Sequence, residues 1–325
     1  MTMAKRHPGL PRPSKRILSR SELLHQLSLV DSDTDRRERV LRLETAFRRK
    51  INSHLLALPA GDSKLRKFNT SPYVLLIHAR QKNYTKVSEI ESDILPAKQF
   101  SSMETSAGRM VEEVVLPEYG WSVVESEMHT SNSAIDGEKT ESSVHRLVTL
   151  KSGPRCLNDE MSENFADAII ANYEAWAIES GSSHLEFTYG VLYGTPKLSN
   201  KKDWHILRNI SEKIPASITI APDGQWYCQF VRSEITVDVA IRIGIDWWAH
   251  LGGDLCFVEV FTALIRACID VGPSDSIAHT YIISDLRDIV YSADVDEEFN
   301  VSLLQRSQIP WLFLMAHHFC DELRA

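Results

Sequence analysis

Two charged residues, Asp136 and Lys151, stand where a strand-borne catalytic site could form. Asp136 lies in the segment Ala-Ile-Asp-Gly at 134–137, and Lys151 follows the β-rich run at 145–150. A carboxylate at a strand end can hold a divalent cation, which neutralises a phosphate and activates water. A lysine on a neighbouring strand can orient that water and stabilise negative charge. The pair therefore indicates metal-assisted phosphodiester hydrolysis, for which Mg²⁺ needs only one or two protein carboxylates.

The stretch from 134 to 154 resembles the PD-(D/E)xK nuclease motif of type II restriction endonucleases. In that family an aspartate lies on one strand of a hairpin and an acid-x-Lys triplet lies on the next. Asp136 matches the aspartate and Lys151 matches the lysine. The Lys-Ser-Gly-Pro continuation and the nearby Asn158 are also similar to restriction enzymes. Family members often carry an upstream helix with Gly-x-x-x-Glu spacing, which Gly108 and Glu112 match. The resemblance covers about residues 100–210 and continues more weakly to 245.

The chain departs from the family pattern at Thr149, where the second acid of the triplet is expected. Some restriction enzymes recruit a glutamate from the following helix instead, and Glu163 stands at nearly that distance after the lysine. Glu163 shares a helix face with the acids four residues before and after it. Glu160 and Glu112 compete for the same role, so the sequence leaves the second metal ligand open.

The resemblance implies a Mg²⁺-dependent, site-specific deoxyribonuclease that cuts double-stranded DNA as part of a restriction-modification system in the bacterial cytoplasm. Asp136, with Glu163 or Glu112, would bind Mg²⁺, and Lys151 would position the hydrolytic water. Cutting both strands of a palindrome is most simply done by a two-fold homodimer. A cognate DNA methyltransferase is expected as a functional partner, not as a bound one.

Two other functions stay open. The absence of an acid at Thr149 makes a catalytically inactive DNA-binding protein on the same fold the main alternative. The other alternative is an α/β protein that does not act on DNA and carries the motif by coincidence. Metal-dependent cleavage would exclude the first. Binding to duplex DNA at low salt would exclude the second, because phosphate contacts are strongest there.

DNA contacts are predicted just after Lys151 and in the basic segment 195–209. Lysine and arginine neutralise phosphates, while asparagine, arginine and lysine can also read base edges. The alternative for the basic segment is a solvated helix face with Trp204 packed inward. The alternative for Ser152 and Asn158 is a chain reversal followed by an ordinary helix cap. The predicted DNA-binding residues are Ser152, Asn158, Lys197, Asn200, Lys201, Lys202, His205 and Arg208.

The surrounding pattern predicts an α/β fold, a restriction-endonuclease-like core whose central mixed sheet is flanked by helices, with an N-terminal helical extension. Helices are expected within 21–58, with a break at 31–35, and at 106–115, 159–179 and 201–213. Strands are expected at 121–125, 145–150, 185–193 and 226–231, and a further helix is expected at 236–245. The predicted division is a flexible basic arm at 1–20, a helical region at 21–98 and a catalytic core at 99–325. Target recognition would use elements in about 184–325.

Charge and composition set wider bounds. The net charge is −8, but residues 1–50 hold thirteen basic and six acidic residues, and a local basic surface on an acidic protein is compatible with DNA binding. No apolar run is long enough to cross a membrane, and no secretory signal is present, so no membrane partner is expected. Five scattered cysteines without a CxxC pair predict reduced core thiols in a cytosolic protein. Nucleotide hydrolysis, serine hydrolase and dinucleotide chemistry lack support, since no Walker loop, GxSxG or GxGxxG appears.

Overall fold

The computed structural model describes residues 16–58, 72–124, 134–220, 225–271, 283, 285–290, 295 and 298–324. Residues 1–15 of the predicted basic arm lie outside the described residues. The rest of that arm is packed against the body of the protein. Leu18 is buried, and the Arg16 guanidinium forms ion pairs with Asp246 at 3.0 Å and Asp254 at 3.2 Å.

The helices fall into an N-terminal group, a group around the sheet and a C-terminal group. The α-helices are α1 (Arg20–Ser32), α2 (Thr34–Ala57), α3 (Pro72–Lys82), α4 (Glu91–Met110), α5 (Asp159–Ser180), α6 (Trp204–Lys213), α7 (Ile245–Gly252), α8 (Cys256–Cys268), α9 (Leu286–Val290) and α10 (Ile309–His317). Helix α4 continues through a π-helical turn at Val111–Val115 and a last turn at Leu116–Glu118. Short 3₁₀ turns lie at Val87–Ile90 and Arg306–Gln308. In the part of the chain that the structure describes, none of the helices could span a membrane.

Seven described strands form one mixed sheet. They are β1 (Ser122–Val123), β2 (Gly137–Glu141), β3 (Val144–Lys151), β4 (His184–Val191), β5 (Ser217–Ile220), β6 (Trp226–Arg232) and β7 (Ile235–Ile243). Their spatial order is β1-β2-β3-β4-β7-β6-β5. The three central strands β3, β4 and β7 run parallel, and each edge of the sheet is an antiparallel meander. The predicted α/β fold with a mixed sheet flanked by helices is confirmed.

A tight hairpin sets the register between β2 and β3. The two turn residues, Ser142 and Ser143, have φ values of 50° and 67°, as a two-residue turn that matches strand twist requires. The ladder then pairs Gly137 with Val148, which brings the residue before Gly137 opposite Thr149. The turn thus fixes which side chains meet at the far end of the hairpin.

Alternation along the strands divides the apolar core into two layers. Leu147 and Phe187 point to one face of the sheet, where α5 and α6 cover them. Val148 and Leu150 point to the other face, where the α1, α2, α7, α8 and α10 helices contribute buried side chains. Because successive side chains of a strand alternate, a single strand supplies both layers.

The N-terminal helices belong to the second core layer. Leu23 of α1 and Phe47 of α2 are buried in the same cluster as Phe257 of α8. The fully buried Glu259 of α8 accepts hydrogen bonds from Arg36, at 2.5 Å, and from Arg39, at 3.0 Å. The predicted boundary between 98 and 99 therefore does not separate two cores among the described residues.

Several predicted elements agree closely with the structure. The break between the first two helices falls at Asp33, which caps α2 through its carboxylate. Asn158 caps α5 by accepting a hydrogen bond from the Met161 amide at 2.7 Å, as predicted. The basic helix is shorter than expected and begins at Trp204, and strand β5 was not predicted. The helix predicted at 236–245 was wrong: this β-branched segment forms the buried central strand β7. Among the cysteines, Cys228 and Cys256 are buried, while the other three include two that are exposed.

Candidate active site

The β2–β3 hairpin holds the Asp136 carboxylate in a fixed orientation. The Asp136 amide donates to the Val148 carbonyl at 2.8 Å, which extends the ladder by one residue. Its Oδ2 accepts a hydrogen bond from the Thr149 hydroxyl at 3.0 Å and another from the Leu150 amide at 2.6 Å. Two donors on one oxygen leave the other carboxylate oxygen available to a ligand, since no described residue bonds to it.

Lys151 ends β3 beside the carboxyl ends of two parallel neighbours. The register aligns it with Val191 of β4, which in turn aligns with Ile243 of β7. In open α/β sheets this edge is where ligands bind. The Lys151 ammonium lies 5.4 Å from the centre of the Phe165 ring of α5, and this cation–π contact holds the side chain against that helix.

Glu112 reaches the same edge from the opposite layer. It lies in the π-helical turn that follows α4, a distortion frequent at functional sites. Helix α4 approaches the end of β3 closely. A Cβ atom added at Gly108 would lie only 3.9 Å from the Ser152 Cβ. The half-buried Glu112 carboxylate has no hydrogen-bond or ion-pair partner among the described residues.

The electrostatics of Glu112 show that it shares its surroundings with Asp136 and Lys151. Burial raises the pKa of Glu112, and the nearby Asp136 carboxylate raises it further. The Lys151 ammonium and the Arg109 guanidinium oppose that rise. A partly buried acid influenced by both a carboxylate and a lysine is a typical feature of functional sites. We call Asp136, Glu112 and Lys151 the acid–lysine cluster.

The cluster offers two carboxylates to a cation. Among the residues that the structure describes, no three His, Cys, Asp or Glu side chains converge as a closed protein metal site would require. Oxygen donors suit Mg²⁺, which usually keeps several waters and takes one or two carboxylates together with substrate phosphate. The free oxygen of Asp136 and the unpartnered carboxylate of Glu112 fit that requirement, and Lys151 adds one positive charge beside them.

Glu163 lies elsewhere. The buried side of α5 carries Ser162, Ala166 and Ile169, which turns residue 163 toward solvent. The Glu163 carboxylate instead contacts the Lys213 ammonium of α6 at 3.1 Å. The structure therefore brings Glu112, and not Glu163, together with Asp136 and Lys151.

The basic helix α6 is held against α5 by ion pairs. Asp159 accepts hydrogen bonds from the Lys202 ammonium at 2.6 Å and from the His205 ring at 3.0 Å. Burial lowers the pKa of His205, which favours its neutral form. Arg208 lies 3.6 Å from Glu212 on the same helix. Lys202 and Arg208 are already engaged by acids, so α6 and the residues before it present less free positive charge than the sequence indicated.

The loop before α6 uses its polar residues to hold its own shape. The Asn200 side-chain amide donates to the Leu157 carbonyl at 2.7 Å. The Lys201 ammonium donates to the carbonyls of Pro196 and Lys197, and burial lowers the pKa of Lys201. These contacts favour the structural interpretation of this segment over DNA contact.

Of the remaining predicted DNA contacts, Ser152 and Asn158 lie at opposite ends of the loop that follows β3, and Lys197 lies in the loop that follows β4. Ser152 is exposed directly beside Lys151, where a phosphate at the cluster could reach it. Asn158 uses its side-chain oxygen to cap α5. The exposed Lys197 ammonium lies 3.7 Å from Asp321, near the C-terminus. Only Ser152 of these three adjoins the acid–lysine cluster.

Sequence reasoning missed the role of Thr149. Its side chain is almost completely buried and occupies the position of the missing acid, yet it supports Asp136 as a hydrogen-bond donor. The signal was present in the hairpin register, since Asp136 and Thr149 lie on opposite strands at the same level.

No protein-family model matches the chain, and its sequence matches no curated protein. The geometry of the acid–lysine cluster is therefore what indicates a function.

Proposed function

We propose that the protein is a Mg²⁺-dependent type II restriction endonuclease that hydrolyses phosphodiester bonds in double-stranded DNA. The observation that carries this proposal is that Glu112 lies close enough to Asp136 and Lys151, at the carboxyl edge of the central strands, for both charges to act on its pKa. Each of these residues comes from a different element, and each was selected because it matches the nuclease motif that the sequence resembles. A chance motif would not be expected to bring a helix acid to the same place.

Glu112 supplies the second acid that the strand lacks at Thr149. Asp136 and Glu112 would hold Mg²⁺, which when bound neutralises phosphate charge and makes a coordinated water more acidic. Thr149 and the Leu150 amide keep the Asp136 carboxylate oriented. Lys151 would position the attacking water and stabilise the negative charge that develops on the phosphate. The expected products carry a 5′-phosphate and a 3′-hydroxyl.

The topology supports the restriction-endonuclease-like core as part of the proposal. A helix with Gly108 and Glu112 precedes an antiparallel hairpin that carries Asp136 and Lys151, as the resemblance implies. Helix α5 then crosses to the parallel strand β4. A two-fold homodimer, a cytoplasmic location and a cognate methyltransferase belong to the same proposal and follow from the type of enzyme.

Cleavage of long natural duplex DNA tests the proposal. Wild-type protein would be incubated with and without Mg²⁺, beside Asp136→Asn, Glu112→Gln and Lys151→Ala. We expect discrete fragments from the wild type with Mg²⁺ only, and at least about a hundredfold slower cleavage by each variant. Glu163→Gln is the matched control, because it removes one carboxylate charge from a surface ion pair. This control should cleave like the wild type.

Each outcome bears on a specific part of the proposal. Intact DNA under every condition would refute the nuclease, and duplex binding without cleavage would then establish the inactive DNA-binding alternative. Loss of cleavage in Glu163→Gln, with normal cleavage by Glu112→Gln, would instead assign the second metal ligand to Glu163 of α5. A continuous smear instead of fragments would support phosphodiester hydrolysis and refute sequence-specific cutting.

A further inference from the structure

A cleft separates α2 from the end of α4 beside the acid–lysine cluster. Its volume is about 530 Å³. One face of each helix lines it, at positions 46, 49, 50, 53 and 54 of α2 and at positions 106, 109, 110, 113 and 114 of α4 and its π-helical turn. Both sets follow helical spacing, so the cleft is a groove between two facing helix surfaces.

The groove carries free positive charge. Lys50 and Glu113 form an ion pair and cancel each other. Arg49 and Arg109 are exposed, and neither guanidinium has a hydrogen-bond or ion-pair partner within the described ranges. His54 also lines the groove, and its buried Nε2 has no hydrogen-bond partner among the residues that the structure describes. Two arginines without an acid partner among the described residues therefore lie in one groove of a chain whose net charge is −8.

Four other arginines of α2 contact acids, and Arg37, which lies outside the groove, does not among the described residues. Arg36 and Arg39 contact Glu259, and Arg42 contacts Glu118 at 3.1 Å. The paired side chains stabilise the packing of α2, whereas Arg49 lines the groove and has no acid partner in the described part of the chain.

We infer that this groove binds the phosphodiester backbone of a nucleic-acid strand as it leaves the acid–lysine cluster. The inference rests on the proposed function and adds the path of the substrate. Arg109 lies three residues before Glu112 on the same continuous helix, which is an axial rise of about 4.5 Å. A strand that leaves the groove at Arg109 is therefore at nearly the same level along the helix axis as Glu112.

The length of the groove favours a polymer over a single anion. Positions 46–54 of α2 span about 12 Å along the helix axis. A groove of that length is longer than one phosphate group, so more than one phosphate of a strand could lie in it. Arginine forms bidentate contacts with phosphate, and serine hydroxyls at Ser53 and Ser106 are further donors of the kind that contact the backbone.

Binding of a fluorescein-labelled duplex oligonucleotide, followed by anisotropy in EDTA over a range of salt concentrations, tests the inference. We expect Arg49→Ala and Arg109→Ala each to weaken binding about tenfold. The double variant should reduce the slope of log affinity against log salt by about 2. Arg37→Ala is the matched control, since it removes an exposed arginine from α2 outside the groove. Arg49→Lys should retain most of the affinity.

The Arg49→Ala variant gives the decisive comparison. Arg49 does not adjoin Glu112, so its replacement leaves the acid–lysine cluster unchanged. Equal affinity and salt slope for wild type and Arg49→Ala would overturn the inference, as would equal losses from Arg49→Ala and Arg37→Ala. Competition by inorganic phosphate at concentrations similar to oligonucleotide phosphate would overturn the polymer assignment. Cleavage by Glu112→Gln tests the nuclease independently, so failure of the groove and failure of the proposed function give different results.

Discussion

Replacement of Thr149 by valine tests how the Asp136 carboxylate is held. The Thr149 hydroxyl donates to Asp136 Oδ2 at 3.0 Å, and the side chain is 2% exposed. Valine has nearly the same shape and remains β-branched, so it removes the hydrogen bond without opening a cavity. It also leaves no unpaired donor behind, because the donor itself is what is lost.

The expected effect of Thr149→Val on cleavage depends on the hydrogen bonds to Asp136 that remain. A hydrogen bond to a charged group contributes about 1.5–3 kcal/mol. The Leu150 amide still donates to the carboxylate at 2.6 Å, so Asp136 keeps one of its two donors. Loss of a partner that supports a metal ligand typically reduces metal affinity or activity by about 10- to 100-fold. We expect a loss in that range at limiting Mg²⁺ and partial recovery at saturating Mg²⁺.

The assay is initial-rate cleavage of duplex DNA over a range of Mg²⁺ concentrations. Thr188→Val is the matched control, since Thr188 is a buried threonine of β4 whose hydroxyl lies 3.3 Å from His250 and not from Asp136. A Thr149→Val variant that cleaves like the wild type at every Mg²⁺ concentration would refute the supporting role of Thr149. An equal loss in Thr188→Val would assign the effect to general packing.

Two further predictions concern stability. Burial raises the pKa of Asp203 to about 6, despite hydrogen bonds from Ser199 and the Trp204 amide. The folded state therefore binds more protons than the unfolded state, whose aspartate has a pKa near 3.9. Stability is greatest below about pH 4 for this group, and about 3 kcal/mol is lost as the pH rises through about 6. Urea unfolding between pH 4 and 7 should show a weaker decline for Asp203→Asn, and an unchanged decline would contradict the assignment. Glu259→Gln should lower the free energy of unfolding by about 3 kcal/mol, because it breaks buried ion pairs, and an unchanged melting temperature would contradict this.

The local pattern of the sequence was sufficient to predict the cap of α5, whereas the hairpin and the three members of the acid–lysine cluster came from the resemblance to the nuclease motif. Turn residues, cap residues and strand alternation act within a few positions of the chain, so they are visible without the fold. Asp136 and Lys151 are positioned by one hairpin, and Glu112 by the helix just upstream. The choice between Glu112 and Glu163 was not visible, because both are acids at acceptable spacing.

The misplaced expectations arose from contacts between distant segments. Glu163 does share a helix face with its neighbouring acids, as predicted, but that face meets Lys213 of α6 instead of Asp136. The same ion pairs neutralise the Lys213 charge of α6, which is then less available to a phosphate. Helical periodicity gives the side chains that share a face, and only tertiary packing decides what the face contacts.

Moving the second acid back to the strand would test the division of roles between Glu112 and Thr149. Aspartate is close to threonine in shape, so Thr149→Asp should place a carboxylate beside that of Asp136 at the hairpin end. Two adjacent buried carboxylates repel each other without a cation. We therefore expect Thr149→Asp to lower the melting temperature in EDTA and Mg²⁺ to restore it, whereas the wild type should respond less.

Combined with Glu112→Gln, the same substitution should recover part of the cleavage that Glu112→Gln alone loses, because the metal regains two protein carboxylates. Thr149→Asn in the Glu112→Gln background is the control, since it has the same shape without the charge. No Mg²⁺-dependent shift in melting temperature and no recovery of cleavage, in a folded double variant, would show that the two positions do not face one cation. Recovery with aspartate and not with asparagine would place the strand acid and the helix acid at one metal, which is the arrangement that makes an acid at Thr149 dispensable.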